Sequence, residues 1–155
     1  VKKAKLWAYS VFLCAALSGI AFLLPQFRIV LWDTGQEGWL FFWGGHARVG
    51  ATVPAVVYGI AAVWGLLGVG ALFWAGRQVL RLERKAIAWL NWAAFFLVME
   101  LIFLLGAAEE VLTDLRVQNL HADSFAQVGS WLTFIVLFVL LFLPGRVKKA
   151  LFKQG

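Results

Sequence analysis

Apolar residues in this chain collect into four long runs, separated by stretches in which charged residues and glycine gather. The runs cover residues 6–25, 54–75, 86–108 and 126–144, each close to the roughly 20 residues that cross about 30 Å of hydrocarbon as an α-helix. The pattern predicts an all-α membrane protein, a single four-helix transmembrane bundle over residues 1–155. Pro54 suits the first turn of its helix, where a missing N–H costs nothing. The first run is too long for the apolar core of a signal peptide. Its exit, Phe22-Leu23-Leu24-Pro25-Gln26-Phe27, lacks the small residues of a cleavage site, so it reads as a retained anchor.

Charge orients the bundle. Lys2, Lys3, Lys5, Arg77, Arg81, Arg84, Lys85, Arg146, Lys148, Lys149 and Lys153 account for eleven of the fourteen bases, and all lie on one side of a four-span topology. The opposite side holds Arg28, Arg48 and Arg116, with the acids Asp33, Glu37, Glu109, Glu110, Asp114 and Asp123. Because basic flanks stay in the cytoplasm, both termini are expected inside. The expected location is a bacterial inner membrane or another plasma membrane. Trp7, Trp74 and Trp89 fall near inner ends, and Trp32, Trp39, Trp43 and Trp131 near outer ends, where indoles favour headgroup depth.

Composition agrees. The chain is 63% hydrophobic and 14% charged, against about 25% charged in soluble domains. A net charge of +6 would point to nucleic acid in a soluble protein. Here topology accounts for it, and no nucleic-acid partner is expected. Membrane lipids and other integral membrane subunits are the expected partners.

The first outer loop is the most distinctive segment. Two aromatic and β-branched runs, Phe27 to Trp32 and Trp39 to Gly45, flank a turn-forming Asp33-Thr34-Gly35-Gln36-Glu37-Gly38, which is a hairpin signal. Neither run alternates cleanly, so both faces would be apolar and need cover. Trp32, Trp39, Phe41, Phe42 and Trp43 are the expected partner or lipid contacts. A short interfacial helix or loop plugging the bundle, or a ligand pocket, are the other readings. The second outer region, residues 109–127, reads as a helical extension of the third span, with Glu109, Glu110, Asp114 and Arg116 as a solvated cluster.

Glu100 is the acid set well inside a span, a costly position that demands a partner. Ser18, Tyr58 and Thr133 lie near equal depth on the neighbouring spans, and a protonated Glu100 hydrogen-bonded to one of them would fasten the bundle. The competing role is proton movement, or binding of a lipid or quinone headgroup. Segment two carries small residues at four-residue spacing, Ala55/Gly59 and Ala61/Gly65, which allow close helix approach.

Candidate catalytic chemistry is thin. His46 and His121 both lie in outer loops, and with Asp123 they lack metal-ligand spacing. Cys14 is the sole cysteine, which excludes an internal disulfide and a CxxC pair. No Walker A sequence, nucleophile elbow, His-Glu-x-x-His pair or dinucleotide fingerprint is present. No catalytic, cofactor or metal residue is assigned, and an enzyme is not expected.

The order of elements resembles that of claudins and peripheral-myelin-protein-like four-span proteins, on Leu24-Pro25-Gln26-Phe27-Arg28-Ile29 at the first exit and Arg48 before the second span. The resemblance implies inside termini, a β-structured first outer loop and a role in adhesion or barrier formation. The chain departs from that class in its signature. Gly38-Trp39-Leu40 stands where Gly-Leu-Trp is expected, and the loop has no cysteine. The leading expectation is a non-catalytic accessory subunit of a larger membrane complex, an energy-transducing complex being one such case. A Glu100-centred transport protein and a claudin-like adhesion protein are the alternatives.

Overall fold

The computed structural model describes residues 2–41, 44–46 and 55–152, with backbone alone for 44–46 and 55–58. Phe42, Trp43, Arg48 and Pro54, and the side chains of His46 and Tyr58, lie outside the described residues. Four helices carry most of the chain: α1 (Lys2–Leu23), α2 (Ala55–Leu80), α3 (Ala86–Val117) and α4 (Val128–Phe152). All four are long and apolar enough to cross a membrane. They pack as a ring in which α1 and α3 each lie against both α2 and α4.

Between the helices runs a small antiparallel sheet: β1 (Phe27–Leu31), β2 (Glu37–Phe41), β3 (Gly44–His46) and β4 (Ala122–Ala126), in spatial order β3-β2-β1-β4. The expected hairpin is therefore present as β1 and β2, with Phe27 opposite Leu40 and Val30 opposite Glu37. Gly35 supplies the turn with φ +65°, a conformation that glycine adopts without steric penalty. The region 109–127 needs correction. It is helical only to Val117 and then turns back to form β4, which pairs with the other edge of β1. The reversal is a Schellman cap: Asn119 sits at φ 59°, its N–H bonds the Arg116 carbonyl at 2.9 Å, and the Leu120 N–H bonds the Leu115 carbonyl at 3.0 Å. Helix boundaries move as well. α4 starts at Val128 and runs through Pro144 to Phe152, rather than ending at the proline.

α3 holds the sheet in place. At 32 residues it is about 48 Å long and outreaches its neighbours. Its last turns present Ala107, Ala108, Val111, Leu112 and Leu115 to one side, and these pack with Phe27, Ile29, Leu31, Leu40 and Ala122 of the sheet. Glu109, Glu110, Asp114 and Arg116 occupy the opposite, exposed side of the same turns. The sheet thus has one face closed against α3. A second apolar cluster fills the terminus end of the bundle, from Ala8 and Val11 of α1 through Leu72, Val79, Leu90, Leu97 and Val136 to Val147 of α4.

Gln26 ties the sheet end together. Its N–H donates to the Leu40 carbonyl of β2 at 2.8 Å, and its own carbonyl accepts from the Gln127 N–H at 2.9 Å and the Ser130 hydroxyl at 2.7 Å. Its side-chain amide donates to the carbonyls of Ala21 and Leu24 at the end of α1. The residue is wholly buried. Gly129 makes room for it, since a Cβ at that position would collide with the Gln26 amide and the Pro25 carbonyl.

Candidate functional site

Two places on this scaffold concentrate the side chains that sequence singles out. The first is the outward face of the sheet. Residues paired across antiparallel strands share a face, so Trp39 of β2, Arg28 of β1 and Phe125 of β4 form one row, and Glu37, Val30 and Asp123 the next. Trp39 and Phe125 are exposed, as is Trp32 just past β1. The Arg28 guanidinium makes two hydrogen bonds to the Glu37 carboxylate, one of them from Nε at 3.1 Å. The Trp32 indole N–H donates to Asp123 Oδ2 at 2.7 Å, and the Trp32 backbone N–H to the His121 carbonyl at 2.9 Å. Asp33 Oδ2 accepts the His121 backbone N–H at 2.8 Å, with the imidazole Nδ1 at 3.2 Å. That backbone hydrogen bond, then the imidazole contact, holds the Asp33 carboxyl below its usual pKa.

Of the five expected contact residues, Trp32 and Trp39 lie on or beside this face, Phe41 is half-buried at the end of β2, and Phe42 and Trp43 are outside the described residues. Phe125 was missed because residues 109–127 read as a helical extension of the third span. Its place beside Arg28 follows only from the β1–β4 pairing. His121 is engaged with Asp33, and no group of three or more His, Cys, Asp or Glu positioned for a metal occurs among the described residues.

The second place is midway through the bundle. The two apolar clusters meet between Leu97 and Leu101 on α3, and Glu100 lies at that joint, buried to 2% exposure. Its carboxyl rests against Gly65 of α2, where a Cβ would stand 3.1–3.3 Å from the Glu100 carboxyl atoms. The small residue at Gly65 is thus what admits the carboxyl between α2 and α3. Ser18 of α1 and Thr133 of α4 are buried too. Neither bonds to Glu100. The Thr133 hydroxyl donates to the Gly129 carbonyl of its own helix at 3.2 Å, and the Ser18 hydroxyl has no partner among the described residues.

Beside it on α2 and α3, Trp64 packs against Phe95 and Phe96, and Trp92 stacks on Phe96 with centroids 5.7 Å apart.

No protein-family model matches this chain, and no curated protein is similar to it.

The Gly65–Glu100 contact gives a direct test. Gly65→Ala should cost about 1–3 kcal/mol through overpacking, read as a lower thermal unfolding midpoint in detergent. In a Glu100→Ala background the same substitution should cost less than half as much. Equal costs in both backgrounds would show that the carboxyl does not set the approach of the two helices.

Proposed function

We propose that the chain is an integral membrane protein with both termini in the cytoplasm, and that it serves as a non-catalytic accessory subunit docking onto a second integral membrane protein. The observation that carries the reading is the outward row Trp39, Arg28 and Phe125, with Trp32 beside it. Tryptophan, other aromatics and arginine are enriched in interface cores, and tryptophan and arginine dominate hot spots. Here they stand on a platform fixed by strand pairing and by α3 beneath.

The membrane reading draws on the helices themselves. Leu13, Leu66, Phe73, Ile102, Phe138 and Leu141 are all exposed on their surfaces, an apolar exterior suited to hydrocarbon. The bias of eleven bases toward the side of the termini supports the orientation. With that orientation, the sheet faces outward and the partner is met at the outer membrane surface.

Tagged protein, gently extracted from its source membrane and analysed by native mass spectrometry, should carry a larger membrane protein at fixed stoichiometry. The double substitution Trp39→Ser with Phe125→Ser should weaken that complex by at least about 30-fold, since a hot-spot truncation costs roughly 2 kcal/mol or more. It should leave membrane insertion intact. A lone monomer, or a complex indifferent to the double substitution, would contradict the docking role.

Glu100 supports a second reading, a proton-handling or headgroup-binding site, because its buried carboxyl has no hydrogen-bond partner among the described residues. Glu100→Gln discriminates. A packing role predicts retained assembly and thermal midpoint, because the amide fills the same space. A proton-handling role predicts loss of proton flux in reconstituted vesicles with the fold unchanged, and wild-type vesicles without flux would rule it out.

A further inference from the structure

We propose that the groove between α1 and α4 at the terminus end binds an anionic phospholipid, one acyl chain lying along the groove and the phosphate held by Trp7 and Arg146. The groove has a volume of about 210 Å³ and is lined by Trp7, Phe138, Val139, Phe142, Leu143 and Arg146. Its walls are apolar along two turns of α4, where Phe138 and Phe142 meet edge to face at 5.4 Å. Arg146 follows Phe142 by four residues, so it stands one turn nearer the helix end on the same side. An apolar groove with a cation in its lining toward the helix end matches an acyl chain joined to a phosphate.

Two further features mark the polar end as a recognition site. Arg146 forms no ion pair among the described residues, and the Trp7 indole N–H has no hydrogen-bond acceptor among them. Lys3 lies four residues before Trp7 on α1, and Lys149 three residues after Arg146 on α4, so each sits one turn beyond the groove on the same helical stripe. Neither α1 nor α4 carries an acidic residue. Within these two helices the rim is positive charge with no acid, beside an indole donor that has no acceptor among the described residues. A phosphate with no ammonium satisfies it, whereas a choline headgroup brings a cation into the same field. The long arginine and lysine stems let the charges reach the interface while their methylenes stay in the apolar layer.

The inference rests on the chain spanning a membrane, and the test separates the two claims. Full-length protein in detergent is titrated with phosphatidylglycerol or phosphatidylcholine of the same acyl chains, and bound lipid is read by native mass spectrometry. Phosphatidylglycerol should bind at least about five-fold more tightly, and Arg146→Gln should remove about that factor, the worth of one basic side chain at an anionic surface. Trp7→Phe, which keeps a ring and loses the donor, should weaken both lipids. Arg81→Gln, in the turn between α2 and α3, should change neither. Equal affinity for the two lipids, or equal losses from Arg146→Gln and Arg81→Gln, would overturn the site. Alkaline carbonate extraction is run in parallel. A chain that stays in the pellet without headgroup preference overturns the lipid site alone, and a chain released to the supernatant overturns the membrane reading with it.

Discussion

The sheet end of this protein depends on how Gln26 satisfies the polar groups that four segments leave there. A helix end exposes carbonyls without intrahelical partners, and α1 stops beneath a sheet rather than in open water. Gln26 covers two of those carbonyls with its side-chain amide, and with its own backbone binds β2 and the first turn of α4. Because it is buried, each of these bonds lacks a solvent substitute, and losing a buried partner costs about 1–3 kcal/mol. Gly129 is part of the same arrangement, since no side chain fits where the amide lies. The Pro25 carbonyl accepts the Gly129 N–H at 3.1 Å, which fixes the start of α4 against the exit of α1.

From that junction the sheet architecture follows. β1 leaves Gln26 directly and becomes the strand on which β2 and β4 pair, so two loops far apart in sequence share one sheet. The projecting turns of α3 close one face, leaving the other as the surface where Trp39, Arg28 and Phe125 align. The terminus end is organised by different means, a continuous apolar cluster and a basic rim. This division gives the proposed roles their places: protein contact on the sheet, lipid contact at the termini, and Glu100 where the two apolar clusters meet.

Much of this was legible in sequence. The four long apolar helices followed from run length, and the hairpin from a Gly- and Asp-containing turn between aromatic runs, with Gly35 at the positive φ that turn requires. β4 was not legible. Ala122-Asp123-Ser124-Phe125-Ala126 holds residues disfavoured in strands, and it is a strand because β1 offers an open edge beside it. α4 continues past the apolar run that closes at residue 144, accepting Pro144 and reaching Phe152 through a basic stretch that run length does not register. Depth counting put Ser18 and Thr133 near Glu100, but neither hydroxyl bonds to it, because depth carries no azimuth. The contact that matters is with Gly65, a residue visible only as part of a small-residue pattern. Trp39 and Trp32 were identified from aromatic content, and Phe125 escaped because its neighbour Arg28 lies 97 positions away.

Hydrogen–deuterium exchange on the wild type and on Gln26→Leu, in detergent, tests the central claim most directly. The account predicts that the substitution releases protection together in Phe27–Leu31, Ala122–Ala126 and the first turn of α4, while the terminus halves of the helices stay protected. Unchanged protection in the two strands, or loss spread evenly through the bundle, would contradict the claim that this one buried residue holds the sheet to the helices.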